Sequence, residues 1–343
     1  MKAVRLIAHG APGQFDFSDT PDPVPASGEV LVAVRACGLN RLDLWLEEGS
    51  LPIPVTLPRI PGSEISGQVV AVGADVADWQ PGERVAVQSN LFCGHCEFCA
   101  RGEESLCLNG QLLGIQRDGG FAGLVAVPAS ALVRLPANVD FAASAALTLA
   151  ASTAMHMLTR RASVRPGDWV LVMGGASGVG SAAIQIARQL GAQVISTGST
   201  EARCQFALGL GAGHVIDTSR PDWPADVRQI TRKRGVDLVV EHIGGAVLPQ
   251  CFSCLARGGT IVTCGATAGR DVTLNLWPFF VKEQKLVGSY GRGRKDIEAT
   301  LDWAAQGRLK PAIAQVYPLE QTASAFAALR QRQVMGKVLV SIS

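Results

Sequence analysis

Residues 168–174, DWVLVMG, form a short continuous apolar run that enters Gly174-Gly175-Ala176-Ser177-Gly178-Val179-Gly180 and then SAAIQIARQLG, whose apolar residues recur at helical spacing. Few folds accept a buried strand, a glycine loop and a helix in immediate succession. Glycines let the backbone turn sharply and let a phosphate approach the helix N-terminus, where free N–H groups and the helix dipole favour negative charge. The glycines fall as G-G-x-x-G-x-G instead of the strict G-x-G-x-x-G, so the placement between strand and helix carries the reading. Gly175, Ser177, Gly178, Val179 and Gly180 are the candidate phosphate-facing residues. A purely structural turn is the plain alternative, but so many glycines would weaken ordinary packing elements.

The alternation continues downstream. QVISTG, HVID, VDLVVEHIG, TIVTCGA and KLVGSYG read as strands, CQFALGLGA as a helix, and PQCFSCLARGG as a helix ending at Gly258. Apolar strands separated by helices predict an α/β fold with a doubly wound parallel sheet. The first 135 or so residues differ: EVLVAVRACG, GQVVAVG, ERVAVQ and LVAVPAS are short, β-branched and punctuated by Pro and Gly, which predicts a barrel or sandwich. FAASAALTLAASTAMHMLTR follows as one Ala-rich helical stretch, and after Gly291 come a helix, a strand, a helix and a last strand, KVLVSI. A chain of 343 residues exceeds one comfortable core, so two domains are expected.

Composition closes off several classes. With 48% hydrophobic and 17% charged residues the chain carries enough apolar surface to fold, and a net charge of +2 offers no basic footprint for nucleic acid. The apolar stretch from Val139 to Met157 contains Ser, Thr and His and stops short of a spanning helix, so no membrane is expected. MKAVRLIAHG lacks the apolar core and cleavage site of a signal peptide, which predicts a cytoplasmic location.

Four of the nine cysteines are bunched as Cys93-x2-Cys96-x2-Cys99-x7-Cys107. Four thiolates at such spacing can close a tetrahedron around Zn2+, and a full thiolate shell leaves no position for water or substrate, so one structural zinc is expected. His95 inside this lobe reads as a surface residue. Cys251-x-x-Cys254 has the spacing of a redox pair, but no strand leads into it and a buried helical pair is the expected reading. His156 and His242 are assigned no role.

The end of the strand after the glycine loop decides the cofactor. An acidic residue there would bond the adenosine ribose. The segment is instead Ser196-Thr197-Gly198-Ser199-Thr200-Glu201-Ala202-Arg203, where Ser199 and Arg203 can receive a 2′-phosphate. This favours NADP(H) over NAD(H), with Glu201 as the alternative, a ribose acceptor.

The whole chain resembles the medium-chain dehydrogenase/reductase superfamily, on DTPDPVPASGEVLV, IPGSEISGQVVAVG, the four-Cys lobe, the dinucleotide loop, GGTIVTCGA and MGKVLV. The resemblance implies a GroES-like β-barrel domain over 1–150 with a zinc lobe at 91–108, a Rossmann domain over 151–289, and a return to the first domain over 290–343. It also implies a homodimer or homotetramer. Zinc-dependent alcohol dehydrogenases of this superfamily hold a catalytic zinc with Cys, His and a second Cys or acidic residue. In this sequence those places hold Asn40, Ser63 and Leu149; only Glu64 of the Gly-His-Glu triplet survives, with Cys37 three residues too early. A catalytic zinc is therefore not expected. Without it the sequence is similar to the quinone oxidoreductase-like and enoyl-reductase-like branches, which pass hydride from NADPH to a small electrophilic substrate.

The roles implied are specific. Asn40, Asp43, Ser63 and Glu64 are the candidate catalytic residues, with Asn40 offering its amide to substrate, Asp43 alternatively a turn cap and Glu64 alternatively a structural acceptor. Trp45 is a candidate substrate wall or a core residue. Thr153, the strand-end residues Cys264, Gly265 and Ala266, then Tyr290 and Gly291, and Lys337 at the pyrophosphate complete the candidate cofactor site. Two alternatives stay open: an alcohol dehydrogenase or aldehyde reductase that recruits metal with other ligands, and an NADPH-binding protein without turnover.

Overall fold

The computed structural model describes residues 1–343. They divide into a first unit, Met1–Ser152 with Arg292–Ser343, and a second, Thr153–Gly291. The expected bounds were 150/151 and 289/290.

In the first unit, alternation along Glu29–Gly38 buries Val30, Val32 and Val34 on one face, and this strand is the axis of a seven-stranded sheet. Glu64–Val72 and Leu124–Pro128 pair with it antiparallel. The last strand of the chain, Lys337–Ser341, also pairs with it, with Leu339 opposite Gly38. Phe121, Phe326, Val338 and Val340 join the core, so the C-terminal segment is part of this unit's interior. The registers fix what meets at the end of the axis: Gly38 faces Glu64 on one side, and on the other Leu39 donates its N–H to Val338, one residue beyond Lys337.

The second unit holds a six-stranded parallel sheet in the order His214–Asp217, Gln193–Gly198, Trp169–Val172, Val236–Glu241, Leu255–Thr263, Lys285–Gly288. Val170, Leu171, Val172, Val239 and Val240 are fully buried, as strands covered on both faces must be. From Trp169–Val172 the chain winds outward one way and then returns to the other side. The crevice at the strands' carboxyl ends, between Trp169–Val172 and Val236–Glu241, is the place where such sheets bind ligands.

Two helices depart from expectation. The Ala-rich stretch is not one helix: Phe141–Leu147 and Ala150–His156 are separate, with a π-helical continuation to Arg161 and a bend of 45°. The helix around Cys251 ends at Cys254, because Leu255 turns extended and pairs with Val236; LARGG therefore opens a strand. No single helix is long and apolar enough to cross a membrane.

Candidate functional site

The break at Thr148–Leu149 has a chemical use. It exposes the first N–H groups of the helix Ala150–His156, and Leu149 and Ala150 both donate to Glu64 Oε1, at 2.6 and 3.0 Å. Glu64 Oε2 meets Lys337 Nζ at 2.6 Å and accepts the Asn40 amide at 3.0 Å. The ammonium also donates to Leu39 O at 2.6 Å and Asn40 Oδ1 at 2.7 Å. Gly38 makes room for this carboxylate: a Cβ there would stand 2.7 Å from Glu64 Oε2 and 2.4 Å from Ala145 O.

This cluster changes the expected roles. Lys337 is buried and its three N–H donors meet Leu39, Asn40 and Glu64, which leaves none for a pyrophosphate in this arrangement. Asn40 spends its amide on Lys337 and Glu64, with Gly38 O 3.4 Å away, instead of holding it out for substrate. Asp43, fully buried, caps the helix Arg41–Glu48: it accepts the Asn40 N–H at 2.8 Å and the Gly62 N–H at 3.3 Å, the turn-cap arrangement. Burial pushes its carboxyl up to about 7. Ser63 donates to Leu113 O at 2.7 Å. Burial also raises the Cys37 thiol well above its ordinary range, which keeps it protonated and inert. Trp45 is half-buried and lines a small hollow with Leu51, Ile53 and Val55.

A catalytic zinc does not fit here. Where the superfamily places metal ligands, this chain presents an ammonium, an amide, a hydroxyl bonded elsewhere and a leucine. A cation already answers the surviving carboxylate.

The four-Cys lobe does fit zinc. The sulfurs of Cys93, Cys96, Cys99 and Cys107 lie within 4.8 Å of one another, with separations of 3.5 Å for Cys96–Cys99 and for Cys93–Cys107. Zn–S bonds of about 2.3 Å imply sulfur–sulfur edges of about 3.8 Å. His95 is exposed and turns its ring to Cys93 O, outside the sulfur cluster. Burial holds Cys254 up at about 12 and Cys251 well above its ordinary range, so both remain protonated thiols at neutral pH.

In the second unit the glycine loop is built for close approach. A Cβ on Gly175 would stand 2.2 Å from Ser196 Oγ, and one on Gly180 2.3 Å from Gly174 O. Ser177 caps the helix Gly178–Gln189, accepting the Gly180 N–H at 2.9 Å, and Val179 lies in its first turn. Ser199 and Arg203 are brought together, Nη1 to Oγ at 2.8 Å. Glu201 instead accepts Gln205 at 2.7 Å along its own helix. Gly265 follows its strand so closely beside His242 that a Cβ would stand 2.7 Å from His242 O; Cys264 and Ala266 flank it. Thr153 is buried on its helix, Tyr290 is exposed and Gly291 takes a left-handed φ of 60°.

Two residues escaped the sequence reading. His242 contacts the glycine loop, and its only signal was its place at a central strand's end. Arg41 opens the helix after Asn40, with its Nε buried and unbonded and Arg332 acting on it as a like charge.

A doubly wound sheet with a glycine loop at its switch point, in a chain that also folds a GroES-like unit, defines a nicotinamide-nucleotide oxidoreductase. Residues 26–137 match the alcohol dehydrogenase GroES-like domain family and residues 178–306 the zinc-binding dehydrogenase family. The chain is 30% identical to an alcohol dehydrogenase of Geobacillus stearothermophilus, with both chains covered in full. It is 29% identical to an acryloyl-coenzyme A reductase of Metallosphaera sedula, covering 99% of this chain and 100% of that one. A crystal structure of an NAD-dependent alcohol dehydrogenase superposes with a TM-score of 0.96 at 38% identity, covering 100% of each chain. The chain belongs to the medium-chain dehydrogenase/reductase superfamily of NAD(P)-dependent oxidoreductases.

Proposed function

We propose that this protein reduces a quinone, or the C=C bond of an α,β-unsaturated carbonyl compound, with NADPH and without a catalytic metal. The observation that carries the reading is the Lys337–Glu64–Asn40 cluster at the family's metal position. A metal lowers the pKa of a bound alcohol and so eases hydride loss from it; without that Lewis acid the oxidation of a simple alcohol becomes hard, whereas reduction of an electrophilic acceptor does not require it. The likeness to an acryloyl-coenzyme A reductase supports the C=C reading; the likeness to alcohol dehydrogenases favours the second reading, alcohol or aldehyde chemistry.

Bound NADPH would supply hydride, to the carbon β to the carbonyl or to the quinone. The chain's part is to bind and orient. Gly178 and Val179, in the first turn of the helix, would present N–H groups to the diphosphate, Gly175, Ser177 and Gly180 shape the loop around it, and Ser199 with Arg203 would receive the 2′-phosphate. The main chain of Cys264, Gly265 and Ala266 would meet the carboxamide. Solvent can supply the proton that balances the transfer, since Asp43 and Glu64 are both buried in other hydrogen bonds. Cys93, Cys96, Cys99 and Cys107 would hold one zinc that stabilises their lobe.

A homodimer or homotetramer completes the reading. Leu276, Trp277 and Phe280, 62, 70 and 56% exposed, support it, beside the unpaired edge of Lys285–Gly288. The test is NADPH oxidation with quinones, enones and 2-enoyl thioesters, against alcohols with NADP+, on protein of measured metal content. About one zinc per chain with enone or quinone turnover is expected; alcohol turnover that needs a second metal would refute it.

A further inference from the structure

Residues 92–110, which carry the four bunched cysteines, include no buried residue, so the lobe has no core of its own. Between Cys99 and Cys107 the chain makes one 3-10 turn, Glu104–Leu106, and the Cys107 N–H donates to Glu104 O at 3.1 Å. The Glu104 side chain reaches out of the lobe. Its Oε2 accepts the Arg294 N–H at 2.8 Å, at the start of the helix Arg294–Ala305. Gly293, the N-cap of that helix, has no side chain to fill the first N–H groups, and the acceptor that a Ser or Asp would supply comes from Glu104 instead. The glycine also gives the carboxylate room: a Cβ there would stand 3.3 Å from Glu104 Oε2.

On either side of this contact the segment is anchored outside the lobe. Arg292 Nη2 donates to Ser89 Oγ, and the buried Ile297 and Leu301 hold the helix body against Val133, Leu135 and Val139. The Glu104 carboxylate, by contrast, is placed by a backbone span between two of the four cysteines, and thiolates drawn together without a cation repel one another. We propose that Glu104 is a positioning residue that couples metal in the four-Cys lobe to the N-terminus of the helix Arg294–Ala305. With zinc in the lobe the carboxylate stays on the Arg294 N–H, where the helix dipole favours it. Without zinc the carboxylate leaves and the first turn frays, while the helix body stays. The coupling is reciprocal, so the capped helix tightens the lobe on its metal by the same factor. This rests on the reading of the four cysteines as a zinc site.

The experiment is hydrogen exchange, followed by mass spectrometry, on the zinc-loaded and the chelator-stripped full chain, for wild type, Glu104→Gln and Glu104→Ala. Zinc affinity is measured on the same proteins by competition with a chromogenic chelator. A helix cap is worth about fivefold. Stripping zinc from wild type should therefore speed exchange about fivefold in peptides covering 293–296, with those from 299–305 unchanged. Glu104→Ala should exchange fast at 293–296 with zinc bound, gain nothing more on stripping, and hold zinc about fivefold more weakly. Glu104→Gln keeps an acceptor oxygen and should recover most of both. Equal exchange at 293–296 with and without zinc, wild-type zinc affinity in Glu104→Ala, or exchange that rises alike over 299–305 would each overturn the coupling while zinc binding by the wild type stands. A wild type that binds no zinc would overturn the metal reading and this inference together.

Discussion

Lys337 and Glu64 form an ion pair 2.6 Å across in which neither side chain is more than 5% exposed. They lie far apart in sequence and meet because Glu64–Val72 and Lys337–Ser341 flank the same central strand. The isolated attraction repays little of the desolvation of two charges; the Leu149, Ala150, Leu39 and Asn40 hydrogen bonds make the arrangement tenable. Removing one partner strands the other. Lys337→Met should cost about 3–5 kcal/mol in guanidinium unfolding, and adding Glu64→Gln should recover part of that loss. If Lys337→Met were nearly neutral for stability yet weakened NADPH tenfold, the lysine would serve the diphosphate and the cluster would be incidental.

The parts of this architecture that depend on local pattern were readable before any coordinates. Val170–Val172 is apolar because it is covered on both faces, the glycine loop follows it directly, and four thiols at short spacing have one obvious use. The Asn40, Ser63 and Leu149 departures were also visible, as substitutions in motifs. What replaced the metal was not. Lys337 reaches Asn40 only through strand register, and the N–H groups that hold Glu64 exist only because a helix breaks at Thr148–Leu149 in a run of good helix formers. The His242–Ser177 contact likewise joins residues that only the sheet order brings together.

Discrimination between the two nucleotides should rest on Arg203. Its guanidinium stands 2.8 Å from Ser199 Oγ at the carboxyl end of Gln193–Gly198, while Glu201 is held by Gln205. Arg203→Ala removes a charged donor from the 2′-phosphate and should weaken NADPH by about ten- to a hundredfold, with NADH changed little. Equal losses for both nucleotides would show that the arginine does not read the 2′-phosphate.

The zinc lobe should behave as a unit. Its four sulfurs are half-buried, with little apolar packing around them, so a bound zinc would supply most of the local stability. Cys99→Ser should lower bound zinc from about one per chain to near none and make the 91–108 segment the first site of limited proteolysis. Full zinc retention in this variant would mean that the metal sits elsewhere.

Asp43 gives the fold a pH dependence of its own. Burial lifts its carboxyl from 3.8 to about 7, while the Asn40 and Gly62 N–H groups and the Lys337 charge pull the other way. The folded protein therefore binds a proton more tightly than the unfolded chain. The stability this contributes is complete below about pH 3.8 and is lost as pH rises to about 7, above which the buried carboxylate is charged in both states. Asp43→Asn cannot ionise; its amide oxygen can still accept the Asn40 N–H, and its nitrogen gives up the longer Gly62 hydrogen bond, about 1 kcal/mol. The variant should be about as stable as wild type at pH 5 and clearly more stable at pH 8. Denaturant unfolding of both proteins at the two pH values checks this, and curves that stay parallel across the range would show that Asp43 is ionised throughout.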